Sequence, residues 1–379
     1  MYLLRSLVGG VEGMLYDQFM PGIAFSAESS YGTHWLLQEQ IDCLIPFYGF
    51  LTRGMAQEDG EDTTDFRTIM LAEAEEGSYP EDVELSENDG EDAELQGESL
   101  EELLRAENEA ALQMAQPYTF IPHTMQTQVD LESLENYETL VQQFYTIDAN
   151  TMAGSDQLNV SKFLETDMTI SKDSDGPQIL IYHTHSQEAF SDSIPGDSST
   201  SIMGVGEYLA SILADQYGYE VLHHLGQYDT DSRDDSYSKA LTDIEQVLKD
   251  NPSIQVIIDL HRDEMPETTR LVMDLDGRPT ARFMFFNGLS RTKKTGNIAY
   301  LYNENLDSNL AFSFQMQLKA MEYYPGLTRK IYLKGYRYNM HLRPRYLLIE
   351  LGAQNNTVEE AMNACGPLAH ILDMVLSGE

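Results

Sequence analysis

Basic residues are scarce in this sequence: 23 Lys and Arg stand against 63 Asp and Glu in 379 residues, a formal charge of -40. With no basic stripe to displace counterions from phosphates, nucleic acid is excluded as a partner. Only two cysteines occur, Cys43 and Cys365, far apart and each among apolar neighbours. Neither a disulfide framework nor a thiolate metal site fits them, so any bound metal must be held by histidine and carboxylate. Long apolar runs are missing as well. Residues 1–25 are interrupted by Arg5, Glu12, Asp17 and Pro21, and residues 41–51 fall short of the ~20 that a membrane-spanning helix needs. The basic, then apolar, then small-residue order of a signal peptide is absent. There is no internal repeat and no Gly-x-Ser-x-Gly elbow, and neither cysteine sits near a histidine in a strand-turn-helix setting, which leaves a serine or cysteine hydrolase without its machinery.

What the chain does have is enough apolar residues, 42%, to bury a real core. The negative charge is concentrated between Gln57 and Ala110, where about twenty acidic residues face only Arg67 and Arg105. Such a stretch buries too little apolar surface to offset the entropy of ordering. Four regions follow: an apolar N-terminal segment (1–56), an acidic, mostly disordered linker (57–115) with one short helix over 98–114, a lead-in (116–175), and a dense alternation of strand-like and helix-like segments (176–379).

In that last region, residues 178–182 form a short apolar run after Gly176-Pro177, the pattern of a buried strand. Helical spacing follows over 206–217, stopped by Gly218, then a strand over 219–223 and a helix over 237–249 ended by Asn251-Pro252. Residues 254–260 are Ile- and Val-rich, as in a strand covered on both faces. Residues 270–275 and 282–287 bracket Asp276-Gly277 and predict an antiparallel pair or a rim insertion. A helix over 306–323, a strand over 346–351 and a helix over 357–376, opened by a capping box of Thr357 and Glu360, complete the reading. The fold class is α/β: an open, mostly parallel sheet flanked by helices and preceded by the acidic tether.

Three strand ends carry polar clusters, and ligands gather at the carboxyl ends of such strands. They are His183-Thr184-His185-Ser186-Gln187-Glu188, His261-Arg262-Asp263-Glu264, and Glu350. Two histidines and a carboxylate converging there suit a catalytic zinc with one position left for water. A further carboxylate is then needed to move the proton from water to the leaving amine, and Glu350 supplies it. The bland alternatives are satisfied core histidines, a Glu350 that caps the 352–356 loop, and plain salt bridges for Arg262 and Asp263.

The segment Ile-Leu-Ile-Tyr-His183-Thr-His185-Ser-Gln-Glu188-Ala-Phe, the Ile258-Asp-Leu-His261-Arg-Asp263 element and the Leu-Ile-Glu350-Leu-Gly-Ala-Gln-Asn-Asn356-Thr element resemble the stage II sporulation protein P family, as does the Phe144 to Thr151 stretch. The resemblance implies a zinc N-acetylmuramoyl-L-alanine amidase that cleaves the muramoyl-L-alanine amide of peptidoglycan, with endopeptidase activity on cross-links, during forespore engulfment. It implies Zn2+ as cofactor, His261 as the most secure ligand and Glu350 as the catalytic glutamate. For the first histidine ligand His185 is preferred over His183, which takes a supporting or substrate role. For the carboxylate Glu188 is preferred, with Glu207 its competitor at the start of the first helix. Arg262 and Asp263 orient His261 or grip substrate carboxylates. Stage II sporulation proteins D and M are the implied partners, and the outer face of the mother cell membrane is the implied location. That family is held there by an N-terminal span, and since none of the runs here is long enough, a shortened start or an apolar segment that associates with the membrane without crossing it is expected instead. The rival reading is a non-catalytic peptidoglycan-binding module, and a third is a zinc peptidase acting on other substrates.

Overall fold

The computed structural model describes residues 120–379. The apolar N-terminal segment, the acidic linker and the helix expected over 98–114 lie outside the described residues.

Seven strands form the main sheet: β1 (Tyr145–Ile147), β2 (Ile179–Tyr182), β3 (Val221–His223), β4 (Val256–Asp263), β7 (Phe283–Gly288), β10 (Ile331–Lys334) and β11 (Arg345–Ala353). Their order is β1-β10-β7-β11-β4-β2-β3. All neighbours are parallel except β7 and β11, which are antiparallel. The sheet is therefore two parallel blocks meeting along one antiparallel seam, and β2, β4 and β11 present their carboxyl ends at the same edge. The lead-in enters this sheet directly, since β1 pairs with β10 through Tyr145 and Ile331.

Two short hairpins accompany the sheet. β5 (Val272–Leu275) pairs with β6 (Arg278–Ala281), and β8 (Arg291–Thr292) pairs with β9 (Gly296–Asn297). The antiparallel pair expected between 270–275 and 282–287 forms differently: the turn at Asp276-Gly277, both with positive φ, is so tight that β5 folds back onto 278–281, which frees 283–288 to join the main sheet.

Among the described residues, six helices pack on the faces: α1 (Tyr137–Phe144), α2 (Val160–Glu165), α3 (Ile202–Asp215), α4 (Ser236–Asp250), α5 (Leu306–Tyr323) and α6 (Val358–Ser377). Strand alternation sorts them into two layers. Ile179, Ile181, Ile258, Leu347 and Ile349 pack with α3, α5 and α6, whereas Leu180, Tyr182, Ile257, Tyr346 and Leu348 pack with α4. Helix α3 starts earlier than its apolar spacing suggests, because Ser201 caps it by accepting the Met203 N–H. The capping box of Thr357 and Glu360 opens α6 as expected. No helix among the described residues is long and apolar enough to cross a membrane.

Ile349 is fully buried in the strand that joins the two blocks. Ile349→Ala is expected to cost about 2–5 kcal/mol of stability, read as a lower urea midpoint at unchanged m-value.

Candidate active site

The site forms where β2, β4 and β11 end. Glu350 on β11 lies opposite His261 on β4 in parallel register, so the two side chains leave the same face of the sheet. His185 and Glu188 come from the loop after β2. Together with Arg233, Tyr237, Arg262, Asp263 and Glu264 they line one narrow polar pocket. His185, Glu188, His261 and Glu350 are all nearly excluded from solvent.

His185 is 1% exposed, and neither of its ring nitrogens makes a hydrogen bond among the described residues. Its ring stands edge-on to Tyr237 of α4 at 5.7 Å and to His261 at 5.2 Å. Asp229 Oδ2 approaches its Nδ1 to 3.7 Å and accepts the Gln187 N–H, while Asp229 Oδ1 accepts the Ser186 N–H and hydroxyl. Burial pushes the imidazole of His185 below its ordinary range, outweighing the nearby Asp229 and Glu188.

Glu188 accepts from Arg233 Nη2 at 2.7 Å and from the Arg262 backbone N–H at 2.8 Å, and its Oε2 is 3.5 Å from His261 Nδ1. Burial disfavours its charge, but His261, Arg262 and Arg233 outweigh that and hold the carboxyl well below its usual range. His261 reaches Asp259 with its other nitrogen: Nε2 to Oδ1 is 2.8 Å, an ion-pair distance with the N–H off the line to the oxygen. Burial works against a charged ring here as well, yet Asp259 and Glu188 together push His261 well above the ordinary imidazole range.

His183 goes elsewhere. Strand β2 ends at Tyr182, and the turn that follows separates two histidines that a continued strand would have put on one face. His183 donates from Nδ1 to the Leu260 carbonyl at 2.7 Å, and its Nε2 lies 2.9 Å from His223 Nε2. Burial and the neighbouring His223 pull its pKa down to about 3. His223 Nδ1 in turn meets Glu207 Oε2 at 2.7 Å, so Glu207 stands with His223 rather than with His185 and His261. Gly206 permits this arrangement, since a Cβ there would lie 2.6 Å from His183 Nε2.

Arg262 and Asp263 have supporting contacts. Arg262 Nε donates to the Ala189 carbonyl and ties β4 to the 186–190 loop. The Asp263 carboxylate pairs with Arg329 at 2.6 Å, both buried. The 352–356 loop after Glu350 is held by Asn356, which accepts the Ala353 N–H and donates to the Leu271 carbonyl and to Glu360.

Sequence reasoning missed Asp259, Asp229, Arg233 and Tyr237. Asp259 had left a signal, a lone carboxylate inside Val-Ile-Ile-Asp-Leu, where a charge has no place unless it is paired. Arg233 and Asp229 had left none, for they sit in an acidic, polar loop that reads as solvated surface.

A sequence model of the family described as stage II sporulation protein P matches residues 64–373. The stage II sporulation protein P of Bacillus subtilis is 26% identical over 214 residues, which is 51% of this chain and 49% of that protein, so the match spans about half the length of that relative. Among solved structures, an N-acetylmuramoyl-L-alanine amidase from Clostridium difficile 630 shows 13% identity over 53% of this chain and 95% of its own, with a TM-score of 0.33. The amidase AmiC2 of Nostoc punctiforme shows 12% identity over 52% and 96%, with a TM-score of 0.30. Likenesses at those scores carry no argument about chemistry.

The opposed shifts at Glu188 and His261 set a pH window for the chelated protein. A carboxylate lowered in the fold contributes stability above its ordinary 4.5, lost as pH falls through its folded value. An imidazole raised in the fold contributes below its ordinary 6.5, lost as pH rises through its folded value. The stability difference between wild type and His261→Gln, followed by thermal melting in chelator, is therefore expected to be largest between those two values and to shrink on both sides. A difference that kept growing above pH 7 would contradict the pairing.

Proposed function

Because the chain belongs to the stage II sporulation protein P family, we propose that it is a peptidoglycan hydrolase of sporulation whose active site is the pocket of His185, Glu188, His261 and Glu350. The bond cleaved is the amide between the muramoyl lactyl group and the first L-alanine of the stem peptide, with cross-links as a further target, during forespore engulfment. The chain acts outside the mother cell membrane, alongside stage II sporulation proteins D and M. The observation that carries this reading is the convergence of two buried imidazoles and a buried carboxylate beside Glu350 at three aligned strand ends.

Zinc is the proposed cofactor. Among the described residues no group of three or more His, Cys, Asp or Glu stands in coordination geometry. The donor chemistry nevertheless fits: His185 has two buried ring nitrogens without hydrogen bonds, next to an anionic Glu188 and a second imidazole. His185, Glu188 and His261 are the residues that would hold the ion. When bound, zinc supplies a Lewis acid that polarises the scissile carbonyl and acidifies water.

Glu350 does the proton work. It accepts a proton from the water as the water oxygen bonds to the carbonyl carbon, then delivers it to the departing alanine nitrogen as the C–N bond breaks. Arg233, on the pocket wall, offers positive charge to carbonyl or carboxylate groups of the stem peptide. Tyr237 stays a neutral phenol, because burial and the nearby Asp259 push its pKa far up, and it closes the α4 side of the pocket.

Two experiments test this. Mass spectrometry of muropeptides after incubation of the purified chain with peptidoglycan is expected to show free stem peptides with zinc and none in chelator. If intact muropeptides alone are recovered with zinc, both by itself and with the D protein added, the chain is a binding module. Glu350→Gln is expected to keep its zinc and lose about 10²–10⁴-fold in turnover. His261→Ala is expected to lose zinc and activity together.

A further inference from the structure

Asp259 lies on β4 two residues before His261, on the same face of the strand, and is fully buried. Its two oxygens are engaged separately. Oδ1 accepts the Thr184 N–H at 2.9 Å and lies 2.8 Å from His261 Nε2, while Oδ2 accepts the Thr184 hydroxyl at 2.7 Å. Tyr346, hydrogen-bonded to Tyr182 at 2.5 Å, adds a long contact of 3.4 Å to Oδ2. Thr184 is the residue between His183 and His185, so this one carboxylate joins the β2 end that leads to His185 with the β4 end that carries His261.

A charged carboxylate is acceptor-only, and both ring nitrogens face one; Nε2 is much the nearer, 2.8 Å from Asp259 Oδ1, and Asp259 lies outside the pocket lining that Glu188 and His261 share. The nitrogen left over is Nδ1, and it points to Glu188 Oε2 at 3.5 Å. An imidazole that ligates a metal through one nitrogen commonly donates its other N–H to a carboxylate, which fixes both tautomer and ring orientation. At His261 the distance to Asp259 is that of such a pair, with the Nε2–H standing off the line to Oδ1, and the other ring nitrogen faces Glu188, the other proposed ligand.

We propose that Asp259 is a positioning residue that holds His261 as its Nε2–H tautomer, so that Nδ1 is the atom His261 offers to the metal beside Glu188. The proposal rests on the assignment of His261 as a ligand. It makes Asp259 part of the site without contact to substrate or to the metal. It also explains why a charge is placed within the apolar stretch Val256–Leu260 of the central strand.

The test is a long-range ¹H–¹⁵N correlation spectrum of the full chain, labelled with ¹⁵N-histidine and loaded with zinc, with the His261 signals assigned by their loss in His261→Ala. A protonated Nε2 and a metal-bound Nδ1 are expected. A metal-bound Nε2 with protonated Nδ1 overturns the proposal while leaving His261 a ligand. In parallel, chelator competition is expected to show zinc held about 10–100-fold more weakly by Asp259→Asn than by wild type. A purely structural aspartate would lower the melting temperature and leave zinc affinity unchanged, which also overturns the proposal. If Asp259→Asn does not fold, the wild-type spectrum decides alone. If wild type takes up no zinc, the metal reading and this inference both fall.

Discussion

The candidate site depends on one buried charge. Glu188 is only 1% exposed, and a carboxylate so far from water persists only where cations and N–H groups surround it. Its three partners come from two places: Arg233 from the segment before α4, and the Arg262 N–H and His261 from β4. Satisfying this carboxylate therefore fixes the loop after β2, the end of β4 and the approach to α4 relative to one another. The wall opposite is completed by Glu350, which register alone brings to His261.

Around this anion the charges alternate. Glu188 is followed by His261 and then by Asp259, each close enough to shift the ionisation of the next. Taken singly, each of these groups would be costly to bury, and burial does work against the charged form of every one of them. As a chain they compensate, which is how two acids and an imidazole share one apolar strand end. His185 stands at the edge of this series, and among the described residues its ring nitrogens make no hydrogen bond. The second histidine system, Glu207 to His223 to His183, runs along the α3 side and ends on the Leu260 carbonyl, bracing the same strand from the other face.

Much of the architecture was legible because its signals are local. The Ile- and Val-rich run over 254–260 read as a strand buried on both faces, and α3 to α6 announced themselves by spacing and by Thr357 with Glu360, whereas α1 and α2 of the lead-in were not foreseen. The strands β1 and β10 were missed, since runs of three or four residues are too short to show a period. The reversal of β7 was missed for another reason: whether 283–288 pairs with the hairpin or with β11 is settled by how tightly the chain turns at Asp276-Gly277.

The sequence by itself determined which residues can carry chemistry. Histidine and carboxylate at the ends of apolar strands are chemically distinctive wherever they lie, and their order along the chain is enough to reveal the three clusters. Only the tertiary structure decided how they divide the work. The turn after Tyr182 sends His183 and His185 to different surroundings, Arg233 crosses 45 residues to reach Glu188, and Asp259 acquires its meaning from the ring two positions along the strand. Those are contacts across space between groups whose separation in sequence carries no periodicity, so their physics resides in packing and charge compensation, which no local pattern records.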